Sequence, residues 1–399
     1  MSATTPKKTL AACSGAHVLH DGLTDLLYVL LPVLAQAFGL SYAQVGLLRS
    51  ANKAALAAFQ LPAGLAAERI GTRNLLAAGT AIAGIAFLAL GAASGFAAIV
   101  TALFVAGIGS SVQHPLSSAL ISHAYPGDGR RMALGTYNFA GDLGKVSFAA
   151  LASALFAAGI GWQPTVTGLG VVALAAAAGI LLLVPADARR ARPAAGGASE
   201  AKSRGGWGIR DRRGFAALCA IETIDSSTRA AFLTFIAFLM IARGIPDAWA
   251  VIAMPLVAVG GMAGKLACGY LAERVGVVRT IAITEVATGA GIVAVLTAPP
   301  VVAYCLLPLI GVALSGTSSA LYGSIGDLVE PDRVARAFGL FYTLGSTCGV
   351  AAPLLFGVTG DLVGMQATMG IIAATVFLTL PLCLALKPAL ARVAALKPA

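Results

Sequence analysis

The chain has 399 residues, of which 58% are Ala, Val, Ile, Leu, Met, Phe, Trp, Tyr or Cys and only 11% are charged. That much apolar surface cannot be hidden inside a water-soluble domain of this size, so a soluble enzyme or binding module is excluded and an integral membrane protein is expected. The formal net charge of +10, from 27 Lys and Arg against 17 Asp and Glu, raises the question of a nucleic-acid partner, and the answer depends on where the bases lie.

Apolar stretches long enough to cross a hydrocarbon layer of ~30 Å, about 20 residues each, are predicted at 10–37, 42–67, 74–93, 96–122, 132–158 and 165–184, and again at 214–241, 249–271, 279–298, 301–326, 337–358 and 366–386. Short links make neighbouring helices antiparallel. Residues 185–213 differ: from Asp187-Ala188-Arg189-Arg190 to Arg212-Arg213 they are polar and rich in Gly, Ala, Ser and Arg, which reads as a flexible cytoplasmic linker. The expected fold is all-α, an integral membrane protein with twelve transmembrane helices in two pseudo-symmetric six-helix bundles, 1–184 and 214–399. A repeated segment supports the duplication. Gly64-Leu65-Ala66-Ala67-Glu68-Arg69-Ile70-Gly71 returns as Gly269-Tyr270-Leu271-Ala272-Glu273-Arg274-Val275-Gly276, each copy following an apolar run.

With the N-terminus in the cytoplasm, 21 bases fall in cytoplasmic segments: Lys7, Lys8, Arg69, Arg73, Arg130, Arg131, eight in the linker, Arg274, Arg279, Arg333, Arg336, Lys387, Arg392 and Lys397. Arg243 falls outside, and Arg49, Lys53, Lys145, Arg229 and Lys265 fall within spans. This asymmetry fits the positive-inside rule. It places a multi-pass protein in the inner membrane with both termini cytoplasmic, and the high charge then needs no nucleic-acid partner. Trp162 and Trp249 fall at predicted outer helix ends, where indole rings favour the interface. The first apolar run is long and carries His17, His20, Asp21 and Asp25, so it reads as a functional helix and not as a signal peptide. The six cysteines are scattered without Cys-x-x-Cys spacing, so neither disulfides nor metal clusters are expected.

Charge within the spans carries the chemistry. A charged group near the bilayer centre costs at least ~2.5–3.5 kcal/mol, so each must face a wet cavity or a partner. Six acids (Asp21, Asp25, Asp142, Glu222, Asp225 and Glu285) nearly balance the five bases. His17, Asp21, Asp25 and Tyr28 follow at helical spacing and line one stripe of the first helix; Arg49 and Lys53 do so on the second, and Asp142 and Lys145 lie one turn apart on the fifth. Asp25, Lys53 and Lys145 all lie roughly 16–20 Å in from the outer helix ends, near the midplane. Glu222, Asp225 and Arg229 form a similar cluster on the seventh helix. The functional reading assigns proton coupling to Asp21, Asp25 and Asp225, because an acid whose cationic partner can leave takes up and releases a proton during a cycle. His17, Tyr28, Arg49, Lys53, His114, Asp142, Lys145, Glu222 and Arg229 would line the substrate site. The competing reading is a set of fixed salt bridges, and His114 reads equally as a proton relay or a hydrogen-bonded structural histidine. Glu68-Arg69 and Glu273-Arg274, at cytoplasmic helix ends, are expected to form gates.

Twelve spans in two halves, a long linker and Gly-x-x-Ala-Glu-Arg-x-Gly after the second and eighth helices resemble the major facilitator superfamily over essentially the whole chain, though both copies carry Glu where that family usually has Asp. Gly107-Ile108-Gly109-Ser110-Ser111-Val112-Gln113-His114-Pro115 and the His17-x-x-x-Asp21 arrangement resemble its fosmidomycin-resistance-like drug exporters. The resemblance implies alternating access, export of a drug-like compound against protons, and a monomer. Two departures stand out: Leu103 where drug–proton antiporters often carry arginine, and Gly141-Asp142-Leu143-Gly144-Lys145 without the proline of their fifth-helix motif. With Arg49, Lys53 and Lys145 available to bind an anionic head, a small anionic or zwitterionic substrate fits better than a lipophilic cation.

No Gly-x-x-x-x-Gly-Lys-Ser/Thr loop exists, and neither His-Glu-x-x-His nor a nucleophile elbow is in a suitable context. No ATP, metal or other cofactor and no catalytic residue are therefore assigned. Gly260-Gly261-Met262-Ala263-Gly264 and Gly345-Ser346-Thr347-Cys348-Gly349 have small-xxx-small spacing that lets helices pack closely, and Pro32, Pro62, Pro115, Pro255, Pro308 and Pro353 lie inside spans as kink sites. The expected function is a proton-coupled exporter of a small organic compound, with protons and membrane lipid as its other partners. Import of an organic anion, carriage of a metal or inorganic ion on the His17/Asp21 stripe, and a non-transporting receptor remain the alternatives.

Overall fold

The computed structural model describes residues 4–125, 129–184, 208–330 and 334–395. Most of the expected linker lies outside the described residues, as do Arg333 and Lys397 and the side chains of Glu68, Arg130, Arg131, Glu273 and Arg336. The helices are α1 (Thr4–Phe38), α2 (Tyr42–Ile70), α3 (Thr72–Gly91), α4 (Phe96–Ser110), α5 (Gln113–Ala124), α6 (Gly129–Ala157), α7 (Trp162–Leu183), α8 (Arg212–Ala242), α9 (Asp247–Ala250), α10 (Ala253–Val275), α11 (Val277–Thr297), α12 (Pro300–Leu328), α13 (Val334–Val363), α14 (Met365–Val376) and α15 (Thr379–Ala395). They divide into two compact units: residues 1–40 with 47–201, and residues 41–46 with 202–399.

Eleven helical stretches among the described residues are long and apolar enough to cross a membrane. The remaining long helix, α2, has 29 residues, ample for a crossing, but Arg49, Lys53, Glu68 and Arg69 dilute its apolar character. Three expected spans are each interrupted where a proline removes a helical hydrogen bond. Pro115, Pro255 and Pro381 have no amide hydrogen to give the carbonyl four residues back, on Ser111, Val251 and Phe377. Those are the positions where α4 gives way to α5, α9 to α10 and α14 to α15. Pro32, Pro62, Pro308 and Pro353 lie within uninterrupted helices.

The duplicated segment produces the same turn in both units. Gly71 has φ 93° and ψ 138°, and Gly276 has φ 90° and ψ 148°; only glycine occupies this region without strain. Each glycine amide closes the preceding helix, Gly71 N–H on Ala67 O at 2.9 Å and Gly276 N–H on Ala272 O at 3.1 Å, and each carbonyl opens the next, accepting from Leu75 at 3.0 Å and Thr280 at 3.1 Å. Beside each turn lies an apolar core. In the first unit it includes Cys13, Leu76, Leu116, Ile121 and Tyr137; in the second, Leu218, Ile281, Leu321, Ile325 and Phe341.

The two small-residue motifs differ. At Gly260 an added Cβ would lie 1.8 Å from the Pro308 carbonyl oxygen, and at Gly264 2.2 Å from that of Val312, so α10 touches the α12 backbone directly. Gly345 faces Glu222, while Gly349 has open space around it and serves no close approach. Trp162, at the start of α7, is buried against Phe38 with ring centroids 5.8 Å apart. It is a packing residue, whereas Trp249 is 63% exposed as an interfacial indole should be. Arg243, the base expected outside, donates to the carbonyls of Val295 and Ala298 and so closes the end of α11.

Gly71→Ala and Gly276→Ala should each destabilise by about 1–3 kcal/mol through backbone strain; at Gly276 nothing lies within 4 Å of the added methyl, so strain acts there alone. Thermal unfolding of the detergent-solubilised protein checks this. Asp211 gives a second expectation. It caps α8, accepting from Gly214 N–H at 2.8 Å, and accepts from Arg392 at 2.6 Å. The Gly214 amide first, and then Arg392, hold its carboxyl below the usual carboxylate range. Its folded value lies under the unfolded one, so its stabilisation is complete above the ordinary aspartate value of about 3.9 and is lost as pH falls through the lower folded value. Asp211→Asn should remove that part of the acid dependence of unfolding.

Candidate functional site

In the first unit α1, α2, α5 and α6 bring eight of the expected residues into two adjoining groups. Asp21 is the centre of the first. Its Oδ2 lies 3.1 Å from Lys145 Nζ and 3.3 Å from His17 Nε2, and its Oδ1 lies 3.5 Å from His114 Nε2. Lys145 also donates to Asp142 Oδ1 at 3.1 Å, so one ammonium serves two carboxylates. His17 is held firmly: its Nδ1 donates to the Tyr137 carbonyl at 2.7 Å, and its ring stacks on that of Tyr137 at 4.0 Å. This fixes the hydrogen on Nδ1 and turns Nε2 toward Asp21, to which it can donate only when the ring carries a second proton. His114, the second residue of α5, meets the His17 ring edge-on at 5.0 Å, and its side chain is 46% exposed.

The second group forms around Arg49, which is 1% exposed. It lies 3.6 Å from Asp25 Oδ1, donates to the Thr24 carbonyl at 3.0 Å, and has its guanidinium carbon 3.9 Å from the centre of the Tyr28 ring. Such a layered arrangement suits a planar, weakly hydrated cation. One turn along, Lys53 is half-buried and has neither a hydrogen bond nor an ion pair among the described residues. An unpartnered ammonium in an apolar helix is costly, which makes Lys53 the open cationic position of this unit.

Glycine makes the first group possible. A Cβ on Gly141 would sit 2.5 Å from His17 Cε1 and 2.9 Å from Asp21 Oδ2. The expected fifth-helix motif therefore works by leaving space for two side chains of α1. His20, on the neighbouring face of α1, has its Nε2 2.9 Å from Thr80 Oγ1 and its Nδ1 3.5 Å from Ser110 Oγ, a buried structural anchor.

In the second unit Glu222, Asp225 and Arg229 come together on α8, and α11 adds Glu285. Arg229 donates to Asp225 Oδ2 at 3.0 Å and to Ser226 Oγ at 3.2 Å; Ser226 donates to Glu222 Oε1 at 2.8 Å. The Glu285 carboxyl is a near neighbour of the Asp225 carboxyl, so three acids gather near one guanidinium. Glu285 was visible as an intramembrane acid, but it lies 60 positions from Asp225 on another helix, beyond the reach of helical spacing. Tyr137 had a usable signal, since it precedes Gly141 by one turn on the same face of α6.

The gate candidates are less connected. Arg69 is exposed, and Arg274 lies over the Tyr270 ring at 4.4 Å. The side chains of Glu68 and Glu273 lie outside the described residues. As a ligand set, His17, Asp21 and His114 have donor atoms within 4.8 Å of one another. The Lys145 ammonium already lies against that carboxylate, so a divalent cation would have to displace it.

The sequence model of the Major Facilitator Superfamily matches residues 13–353 and 252–397. No curated protein matches. Among solved structures, a bacterial homologue of the human lysosomal transporter Spinster, inward-facing and unoccupied, superposes with TM-score 0.80 at 17% identity, covering 98% of this chain and 99% of that one. Its occupied inward-facing form gives TM-score 0.75, also at 17% identity, with 99% and 97% covered. A point mutant of the nucleoside transporter NupG gives TM-score 0.78 at 14% identity, with 96% and 99% covered. At these identities the likeness is one of fold.

Gly141→Ala should press its methyl onto a His17 ring that is already pinned by Tyr137, at a cost of about 1–3 kcal/mol. Gly168→Ala, with open space around it in α7, should be neutral or stabilise by up to about 1 kcal/mol. Thermal unfolding of the two variants side by side tests the difference.

Proposed function

We propose that this chain, which belongs to the major facilitator superfamily, is a proton-coupled exporter of a small organic compound with an anionic or zwitterionic head, working as a monomer in the inner membrane. It is a multi-pass membrane transporter and not an enzyme. The observation that carries the substrate class is Lys53: a half-buried ammonium without a partner among the described residues, one turn from Arg49. A carboxylate or phosphonate between them would supply the missing counter-charge.

Proton coupling is supported by the contrast between the units. In the first, Asp21, Asp25 and Asp142 are matched by Arg49, Lys53 and Lys145. In the second, three acids, Glu222, Asp225 and Glu285, share Arg229, so acid outnumbers base around the cluster. Asp225 and Asp25 are thus the leading coupling residues, with Glu285 added beside Asp225. Asp21 belongs to the binding network and exchanges His17, His114 and Lys145 as partners. Export is supported by the resemblance of the Gly107–Pro115 segment and of His17-x-x-x-Asp21 to fosmidomycin-resistance-like exporters. The Glu68-Arg69 and Glu273-Arg274 pairs are proposed as gates, and the repeated turns that follow them fit a hinge used once in each half.

The test uses proteoliposomes with an internal pH-sensitive dye, a panel of small carboxylates, phosphonates and zwitterionic antibiotics, and an imposed pH gradient. A transported compound should move protons opposite to itself. Asp225→Asn and Asp25→Asn should abolish uphill movement, and Lys53→Met should weaken apparent substrate affinity by roughly 10–100-fold, as expected for one charge-assisted contact. Uphill export that survives both aspartate substitutions would remove proton coupling; protons moving with the compound would make the protein an importer.

A further inference from the structure

At the end of the second unit that holds the Gly276 turn, a groove of about 890 Å³ opens between α11, α12 and α15. Val277, Leu380, Leu384 and Leu390 make its wall apolar, and Arg279 and Lys387 stand on its rim. Both cations are exposed, and neither has a hydrogen bond or ion pair among the described residues. Asp327 also lines the groove but already has an interaction partner elsewhere. The amino terminus of α11 faces the same space: its cap is Gly276, which offers no side-chain acceptor to the first amides of the helix.

The two units differ here despite their matching turns. In the first, the base next to the turn is Arg73, and its guanidinium is engaged by Asn74 Oδ1 at 3.2 Å and the Leu181 carbonyl at 3.5 Å. Arg279 has no such use. Depth adds a second constraint. Arg279 lies at the start of the span Val277–Thr297 and Lys387 near the end of Met365–Arg392, so both sit at headgroup level. Leu380 is seven residues deeper than Lys387 on α15, about 10 Å along the helix. Cations at the surface with an apolar wall running inward match a molecule with an anionic head and a hydrocarbon tail.

We propose that this groove binds an anionic phospholipid, its phosphate held by Arg279, Lys387 and the α11 amino terminus and an acyl chain lying along Leu380 and Leu384. The lipid contacts the turn that joins α10 to α11, so the composition of the leaflet acts on the second copy of the duplicated hinge.

Native mass spectrometry of the tag-free, full-length protein, with dioleoylphosphatidylglycerol and dioleoylphosphatidylcholine supplied in equal amounts, tests this. The wild type should retain the phosphatidylglycerol preferentially. Arg279→Gln with Lys387→Gln should lower that preference about 30-fold, the sum expected for two surface cations on an anionic lipid. Arg279→Lys with Lys387→Arg should restore it, and Lys7→Gln with Lys8→Gln, which removes two exposed bases in the other unit, should leave it unchanged. Equal retention of the two lipids, an undiminished preference in the Arg279/Lys387 double variant, an equal loss in the Lys7/Lys8 variant, or displacement of the lipid by millimolar inorganic phosphate would each overturn the proposal. None of these readouts requires transport, so the outcome is independent of the exporter reading.

Discussion

Asp21 sets the terms for the first unit. A carboxylate in the middle of an apolar helix is tolerated only with compensation close by, and here compensation arrives from three helices: His17 on its own α1, His114 on α5 and Lys145 on α6. Satisfying that one group requires α6 to approach α1 at Gly141, requires the His17 ring to be oriented by the Tyr137 carbonyl, and fixes the register of α6 so that Asp142 shares the same ammonium. Packing and chemistry are therefore not separable at this point. The glycine is a space for polar groups before it is a contact between backbones.

The two halves solve the same problem with opposite charge balances. The first keeps acids and bases nearly equal and leaves a cation, Lys53, open. The second crowds three acids, Glu222, Asp225 and Glu285, around Arg229. A duplicated fold has in this way diverged in charge, one half balanced and the other rich in acid, while its two turns kept nearly identical backbone geometry.

Much of this was legible in the sequence because membrane helices obey few rules. Apolar length gave the spans, and helical spacing placed His17, Asp21, Asp25 and Tyr28 on one stripe. Spacing within a helix says nothing about which helix comes opposite, so the pairing of Asp225 with Glu285 and of Asp21 with His114 could only be seen in three dimensions. The breaks before Pro115, Pro255 and Pro381 follow from a missing amide. Pro62 and Pro308, in helices that continue unbroken, show that the residue alone does not decide the outcome. Trp162 misled for a related reason: an indole near a helix end suits the interface, but Phe38 lies beside it and encloses it.

The break at Ser111 separates a twelve-residue segment, α5, from the helix that leads into it. His114 rides at the start of that segment, while the other partners of Asp21 are mounted on long continuous helices. The electrostatic centre of the unit thus has two anchored contacts and one on a short lever of its own. Tilting that segment would move His114 relative to Asp21 while leaving His17 and Lys145 where they are, so one partner of the carboxylate can change independently of the other two.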